Sequence, residues 1–372
     1  MQTRVIKVRT VEDIAPAARA GAEALEKGKL VAFATETVYG VATVASIPES
    51  LERLRELKSR PQRPFSVHMG CAGDVTKYVE SIPHDASRLM AKSWPGPVTL
   101  VLPTGGKLAD PKLQKLSLHD VLCWEDTIGL RFPDEPTAQL MLSEVDAPVV
   151  APSANLSGRP SPRSAEDVLD SLDGRIDLLI DSGPTRYGKD STIVVFDADG
   201  GWKVVREGVF DDRMIRKMLR RKILFVCTGN TCRSPLAAGL ARKLLAEKLG
   251  VEVGDLRKEN VEILSAGTFA MDGGRASPEA VEAAREYDAD ISHHRSRKLT
   301  TELIQSADMV FCMTDSHVAD VRRMAPSAAG KIRRLDEAED ISDPIGSGSS
   351  AYRRTAKHIQ QALERLWNEG QL

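Results

Sequence analysis

Two residue patterns in this 372-residue chain can do chemistry, and the sharper one begins at Cys227. Five residues separate Cys227 from Arg233 in the string Cys227-Thr228-Gly229-Asn230-Thr231-Cys232-Arg233-Ser234-Pro235. A thiolate is a nucleophile, and a guanidinium can hold two phosphoryl oxygens while sulfur attacks phosphorus from the opposite side. The elements on either side must bring the two together. Ile223 to Val226 is an uninterrupted apolar run, suited to a buried parallel strand, and Gly229 and Asn230 break it. A helix follows from Ser234, with Leu236, Leu240, Leu244 and Leu245 at helical spacing and Gly250 as its stop. Strand, loop and helix in that order aim amides and a helix N-terminus at one spot. Such a spot binds an anion and should lower the pKa of a cysteine placed there. Spacing alone leaves a buried structural cysteine and a surface arginine as the ordinary alternative.

The second pattern is dispersed over the first 210 residues. A helix over Pro48 to Leu57, with Leu51, Leu54 and Leu57 on one face, delivers Lys58, Arg60 and Arg63, three cations within six residues. They repel one another unless they are solvated or face an anion, and a solvated helix end is the common explanation. Several apolar runs end in polar clusters rather than plain turns. These are Leu30 to Phe33 before Thr35, Glu36 and Thr37; Pro148 to Ala151 before Ser153 and Asn155; and Thr127 to Arg131 before Pro133. Ser191 and Thr192 precede Ile193 to Val195, and Arg206 closes a strand from Trp202. Hydroxyls, amides and cations at strand ends are what a nucleotide and a small amino acid would need. Ser, Asn and Gly also favour loops for local reasons. Val11 to Leu25 reads as a further helix, with Ile14, Ala18, Ala22 and Leu25 on one face and Gly28 at its end.

After residue 220, strands and helices alternate as in a small parallel α/β domain. Val261 to Leu264 and Met309 to Met313 are strands, Ser277 and Pro278 open a helix to about Tyr287, and Ser350 to Trp367 is the closing helix. Asp343-Pro344 stands before that last helix, where it is either a turn or a general acid.

Taken in order, Thr35 to Gly40, Lys58/Arg60/Pro61, Trp94 to Thr99, Arg131, Ser153/Asn155 with Ser157/Gly158, and Ser191/Thr192 resemble the motifs of the threonylcarbamoyl-AMP synthase (YrdC/Sua5) family over about residues 10–210. The resemblance implies synthesis of threonylcarbamoyl-AMP and pyrophosphate from L-threonine, bicarbonate or CO2, and ATP, the first step toward threonylcarbamoyl-adenosine in transfer RNA. It implies ATP contacts from Lys58, Arg60, Ser153, Asn155, Thr192 and Arg206, and threonine contacts from Thr37 and Arg131. Mg2+ is expected with ATP, held largely by water and substrate oxygens. The partners implied are tRNA-modification proteins and tRNA. Glu36 stands where the family usually has Asp, and Arg63 where it usually has Lys. The additional C-terminal domain of longer members has no counterpart. A nucleotide- or RNA-binding module without catalysis is the alternative, which the intact Lys58/Arg60/Ser153/Asn155 set argues against.

The string from Cys227 to Pro235 resembles the low-molecular-weight protein tyrosine phosphatase family. That resemblance assigns catalysis to Cys227, Arg233 and Asp343, and the phosphate loop to Thr228, Gly229, Asn230, Thr231, Cys232 and Ser234, with a phosphocysteine intermediate and no cofactor. Thr231, and Ile345-Gly346-Ser347 in place of aromatics after Asp343-Pro344, resemble the protein-arginine phosphatase branch, so phosphoarginine is placed above phosphotyrosine. An arsenate reductase would need relay cysteines, and only Cys312, in a core strand, comes later in the chain. Cys232 either forms a reversible disulfide with Cys227 or is simply buried. The fold expected is α/β throughout: a twisted mixed sheet with a concave cavity over residues 1–210, a short connecting helix over 211–220, and a small parallel-sheet phosphatase fold over 221–372.

Composition sets the outer bounds. A net charge of −2 gives no global pull toward nucleic acid or membrane, and 42% hydrophobic with 28% charged residues is ordinary for a globular chain. No apolar run reaches membrane-spanning length. Five scattered cysteines make neither a secreted disulfide framework nor a zinc site, so a cytoplasmic protein is expected.

Overall fold

The computed structural model describes residues 2–59 and 63–372. Cα packing separates the chain into two compact units, dividing between Leu219 and Arg220.

In the first unit the strands are β1 (Arg4–Lys7), β2 (Val31–Phe33), β3 (Gly40–Val44), β4 (Val67–His68), β5 (Val98–Pro103), β6 (Cys123–Trp124), β7 (Thr127–Arg131), β8 (Val149–Val150), β9 (Leu178–Asp181), β10 (Thr192–Phe196) and β11 (Trp202–Arg206). They run in the order β1-β9-β2-β3-β8-β4-β7-β5-β10-β11, with β6 beside β7. Pairing is mixed: β9 is parallel to β1 and β2, β4 to β7 and β5 to β10, while the other neighbours are antiparallel. The polar clusters read from the sequence therefore stand at the ends of strands that share one sheet.

The helices follow their apolar spacing. Ala18, Ala22 and Leu25 of Ile14–Glu26 are buried, as are Leu51, Leu54 and Leu57 of Pro48–Leu57. Each fully buried leucine contributes on the order of 1.5–3 kcal/mol. The expected start at Val11 is different. Val11–Asp13 is a 3-10 turn closed by a capping box between Thr10 and Asp13, and Val11 is exposed, so the buried face begins later. The helix Asp212–Leu219, read from the sequence as a connector, sends Ile215 and Leu219 fully into the first unit's core. Its last carbonyls are held by Lys92 Nζ on Met218 O (2.7 Å) and an Arg88 guanidinium N–H on Leu219 O (2.9 Å).

The second unit has four parallel strands, β12 (Arg221–Cys227), β13 (Val261–Gly267), β14 (Met309–Cys312) and β15 (Ile332–Arg334), in the order β13-β12-β14-β15. The chain leaves β12 to form β13 on one side and β14 on the other. The C-terminal end of β12 is thus a topological switch point, where an open α/β sheet leaves a crevice for ligands. Cys227 is the last residue of β12, and the helix Arg233–Leu249 starts six residues later. That helix is buried along most of its length and packs against the closing helix Ser349–Asn368. Phe225 and Phe311 stack across the sheet at 5.7 Å between ring centres.

Candidate functional site

In the first unit Lys58 caps the helix Pro48–Leu57 and its ammonium reaches a turn about a hundred residues on. Nζ donates to Asn155 O (2.6 Å), Asn155 Oδ1 (2.8 Å) and Ser153 O (2.9 Å), with Ser153 Oγ at 3.5 Å. Asn155 is oriented by its own bonds. Its Nδ2 donates to Arg159 O, and Ser153 Oγ donates to its Oδ1 at 2.6 Å. One ammonium, one hydroxyl and one amide are thereby gathered at one place. Arg60, named from the sequence for the same role, lies outside the described residues.

A second cluster lies at the end of β7. One terminal nitrogen of Arg131 donates to Thr37 Oγ1 (2.6 Å) and Glu36 Oε1 (2.8 Å) and reaches Thr35 Oγ1 (3.4 Å). Glu36 Oε2 accepts the Asp134 N–H at 2.9 Å, so the carboxylate is fully engaged. Arg131 Nε is buried with no hydrogen-bond partner among the described residues. A buried guanidinium N–H left open is a donor waiting for an acceptor such as a carboxylate. His68, the register partner of Arg131 across β4 and β7, is pushed down to about 3, by burial first and the Arg131 charge second. It is a neutral neighbour of this cluster.

Two other sequence candidates are placed differently. The Thr192 hydroxyl donates to Phe210 O (2.6 Å) and accepts the N–H groups of Phe210 (2.9 Å) and Gly208 (3.2 Å). Fully buried, with its hydroxyl engaged three times, Thr192 is a strut between β10 and the following loop. Arg206 donates through Nε and a terminal nitrogen to Ser191 O (3.0 and 2.9 Å) and to Ser191 Oγ (3.0 Å). Ser191 Oγ in turn meets Thr99 Oγ1 at 3.0 Å. Arg206 thus positions Ser191, and the Ser191/Thr99 hydroxyl pair is a feature the sequence reading did not single out as a site.

The second unit gathers Cys227, Asn230, Arg233, Ser234 and Asp343. Cys227 Sγ accepts the Asn230 backbone N–H (3.3 Å) and lies 2.9 Å from Ser234 Oγ. Asn230 sits in the left-handed region at φ 54°, a conformation asparagine tolerates. The Arg297 N–H donates to its Oδ1 (2.9 Å) and its Nδ2 donates to Ser234 Oγ (2.8 Å), so the Ser234 hydrogen is left to be shared between the sulfur at 2.9 Å and Ala266 O at 3.3 Å. His294 Nε2 donates to Asn230 O at 2.8 Å. Gly267 is required beside this loop. It is the register partner of Cys227, and a Cβ there would stand 2.4 Å from Thr228 O and 2.9 Å from Asn230 N.

Arg233 is buried, and one terminal nitrogen donates to Asp343 Oδ2 at 2.5 Å and to Thr228 Oγ1 at 3.4 Å, while the other reaches Ile341 O at 3.3 Å. The carboxyl expected as the general acid is therefore beside the guanidinium expected to bind phosphate. His317 completes the group: its Nε2 is 2.9 Å from Thr228 Oγ1 and its Nδ1 is 2.6 Å from Thr314 Oγ1. Burial first, then the Arg233 charge, lowers its pKa, so it stays neutral. The sequence reading missed His317, His294 and Arg297. Thr314-x-x-His317 reads locally as a helix N-cap and nothing more, and the structure uses it so as well.

The thiol itself corrects an expectation. Burial, the largest influence, pushes the Cys227 pKa up, against the pull of Ser234, the loop amides and the Arg233 charge. The donors predicted from the loop are present, but in the closed loop desolvation outweighs them. Cys232 is buried and free, with its sulfur 3.4 Å from Ser277 Oγ and 3.5 Å from Tyr352 OH. Thr231 Oγ1 has one hydrogen-bond partner among the described residues, the Cys232 sulfur at 3.6 Å. Cys312 is fully buried in β14, and burial pushes its thiol up to about 12. The absence of aromatics after Asp343 is only part of the picture. Phe269, exposed, bonds Thr228 O through its backbone N–H at 3.0 Å, which places an aromatic residue next to the loop from another segment. Among the described residues no helix is long and apolar enough to cross a membrane.

Both halves of the chain are similar to known proteins. The Sua5/YciO/YrdC family model, described as "Telomere recombination", matches residues 23–208, half of the chain. The model for low molecular weight phosphotyrosine protein phosphatase matches residues 222–371. The threonylcarbamoyl-AMP synthase of Bacillus subtilis is 38% identical over 171 residues, 46% of this chain and 47% of the relative. The chain thus spans about half the length of the synthases it matches first. The protein-arginine-phosphatase of the same organism is 38% identical over 149 residues, 39% of this chain and 93% of the relative. A crystal structure of Pyrococcus abyssi Sua5 complexed with L-threonine is similar in fold, with a TM-score of 0.51 at 24% identity over 72% of this chain and 92% of its own. The chain belongs to two families at once, the Sua5/YrdC family through its first half and the low-molecular-weight protein phosphatase family through its second.

Proposed function

We propose that the first unit makes threonylcarbamoyl-AMP and the second hydrolyses a phosphorylated protein side chain. The first reading is carried by the Lys58 ammonium held on Ser153 and Asn155. A fixed cation beside a hydroxyl and an amide suits the triphosphate of ATP and offsets the charge that builds on the leaving pyrophosphate. Arg60 is placed with it by the family pattern. Arg131, with its open Nε and its neighbour Thr37, suits the carboxylate and amine end of L-threonine, whose amine takes up bicarbonate or CO2. The threonine complex of the Pyrococcus relative supports that assignment. The acyl group then goes to the α-phosphate of ATP and pyrophosphate departs. Mg2+ would enter with ATP and offset phosphate charge, and the oxygen-bearing side chains of Ser153 and Asn155 are the ones in this turn that would help to hold it. The product would serve a tRNA-modifying partner.

The second reading is carried by Cys227 Sγ sitting under Asn230 N–H and Ser234 Oγ with Arg233 and Asp343 beside it. Sulfur attacks phosphorus, the bond to the leaving oxygen or nitrogen breaks, and Asp343 gives that atom a proton. Arg233 turns from Asp343 to two phosphoryl oxygens, which frees the carboxyl for this task. Water then attacks phosphorus, Asp343 takes its proton, and the sulfur–phosphorus bond breaks to release phosphate. Phosphoarginine is the preferred substrate on the strength of the Thr231 hydroxyl and the likeness to a protein-arginine-phosphatase.

Purified protein with ATP, L-threonine and bicarbonate should yield threonylcarbamoyl-AMP by mass spectrometry, and Lys58→Ala should lose it. Folded, ATP-binding protein that makes none would leave a nucleotide-binding module in its place. Cys227→Ser should abolish hydrolysis of both phosphoarginine and p-nitrophenyl phosphate and leave the synthase reaction intact. Thr231→Ile should move the preference from phosphoarginine toward phosphotyrosine. An unchanged ratio would sink the role given to its hydroxyl.

A further inference from the structure

Behind the Cys227 loop, at the free edge of β13, a cavity of about 260 Å³ has Arg242, Arg257 and Arg297 in its wall. They come from three segments: the helix Arg233–Leu249, the turn before β13, and the stretch after His294. Glu262 is the acid in this wall, and it is already taken by Arg257 at 2.9 Å and approached by Arg220 at 3.9 Å. The Arg242 guanidinium donates to Ile263 O at 3.0 Å and has no carboxylate partner among the described residues. The Arg297 side chain makes neither an ion pair nor a hydrogen bond among the described residues, although its backbone is well tied. Burial first, then the charges of Arg297 and Arg257, lowers the Arg242 pKa, which is what uncompensated like charges do to one another. A half-buried cation excess of this kind is offset by an anion.

We propose that this cavity is a second anion site, distinct from the Cys227 loop, for a compact inorganic polyanion of the pyrophosphate class. Arg242 and Arg297 bring charge with no carboxylate partner among the described residues, and Arg257 stands beside them on Glu262. The space therefore matches a ligand whose several oxygens, spread over two phosphoryl groups, meet the first two and compete with Glu262 for the third. A nucleoside triphosphate brings a base and a sugar, and this wall has no aromatic residue to stack on the base, its apolar members being Val253, Leu256, Val261, Ile263 and Leu264. The site is wired to the catalytic loop by one residue. Arg297 faces the cavity with its side chain, while its N–H holds Asn230 Oδ1 at 2.9 Å and its C=O accepts the Gly267 N–H at 3.0 Å. An anion that fixes Arg297 therefore steadies Asn230, and through it Ser234 and Cys227. Binding itself does not depend on the phosphatase reading; its influence on Cys227 rests on that reading.

Hydrogen exchange followed by mass spectrometry on the full chain reads the site locally, apart from the Cys227 loop and the ATP site. Pyrophosphate should slow exchange over residues 253–264 and 295–298. Arg257→Gln, at an exposed position that carries no fold, and Arg297→Gln should each raise the concentration needed by about tenfold, the worth of one charge-assisted hydrogen bond. Arg297→Lys should keep most of the effect, which separates lost charge from lost fold. The proposal is overturned if residues 253–264 stay unprotected at pyrophosphate concentrations that protect residues 228–234, or if protection survives Arg257→Gln unchanged. ATP protecting this segment at concentrations no higher than pyrophosphate would overturn the assignment to a compact anion.

Discussion

Lys58 and Asn155 are joined twice, the ammonium donating to the Asn155 backbone oxygen at 2.6 Å and to its side-chain oxygen at 2.8 Å. A third bond goes to Ser153 O, so the ammonium is held from three directions. Charge alone does not reproduce this. A planar guanidinium cannot place three donors around a point. Lys58→Arg should therefore lose threonylcarbamoyl-AMP formation by roughly a hundredfold, two hydrogen bonds' worth, despite keeping the charge. Pyrophosphate release is the measurement, with circular dichroism to show the fold retained. Activity within a few-fold of the parent would mean that Lys58 acts as a point charge.

Ser234 is the last donor before the sulfur. Burial pushes the Cys227 pKa up, against the donors around the sulfur. Ser234 pulls in the other direction by favouring the charged form, so Ser234→Ala should shift the pH profile of Cys227 alkylation upward. Turnover at neutral pH should fall by roughly tenfold. Peptide mapping after iodoacetamide at a series of pH values separates Cys227 from Cys71, the exposed cysteine. A profile that stays in place, or moves down, contradicts the relay from Asn230 through Ser234.

Gly267 is held by space rather than by backbone angle. A methyl group at this position meets Thr228 O at 2.4 Å and Asn230 N at 2.9 Å, backbone atoms of the phosphate loop itself. Gly267→Ala should cost about 1–3 kcal/mol and depress phosphatase activity far more than that loss of stability explains, because the loop must shift. Chemical unfolding and phosphate-ester hydrolysis measured together give both numbers. Full activity in a folded variant would show that the loop accommodates the methyl group.

His68 supplies an acid-sensitive component in the first unit. Its pKa of about 3 when folded lies below the ordinary imidazole value near 6.5. Between pH 7 and pH 5 the unfolded chain takes up a proton that the folded one refuses. The stability present above the ordinary value is lost as pH falls, by about 2 kcal/mol over that interval. His68→Gln should remove this slope. Three of the four tryptophans, Trp94, Trp124 and Trp202, belong to the first unit and Trp367 to the second, so urea unfolding followed by tryptophan fluorescence in a Trp367→Phe background reports on the first. Equal slopes for parent and variant would show that His68 is protonated in the folded state after all.

The parts of the fold written in local pattern were legible beforehand. The apolar run before Cys227 is a buried strand, Ser234 opens a helix, and Leu51, Leu54 and Leu57 face inward because three-residue spacing on a helix leaves no other arrangement. The Lys58/Ser153/Asn155 and Cys227/Arg233/Asp343 groupings were legible because each carries a motif whose order along the chain could be matched. Tertiary support was not. His294, Arg297 and His317 reach the loop from distant segments, and no spacing rule marks a backbone N–H that will hold another residue's amide. Thr192 shows the reverse limit: a threonine in a polar cluster reads the same in sequence whether its hydroxyl meets a ligand or ties down a loop, and here it bonds Phe210 O. For Cys227 the donors could be inferred from the sequence, but burial, which outweighs them, could not.

The helix Asp212–Leu219 has a practical corollary for anyone who wishes to separate the two halves. A cut at residue 210, where the sequence motifs of the first half run out, would strip Ile215 and Leu219 from its core and leave Arg88 and Lys92 without the carbonyls of Leu219 and Met218. The exposed apolar scar would favour aggregation. A cut between Leu219 and Arg220 spares both cores, and β12 begins at the very next residue, Arg221. The chain can be divided there with nothing to spare on either side.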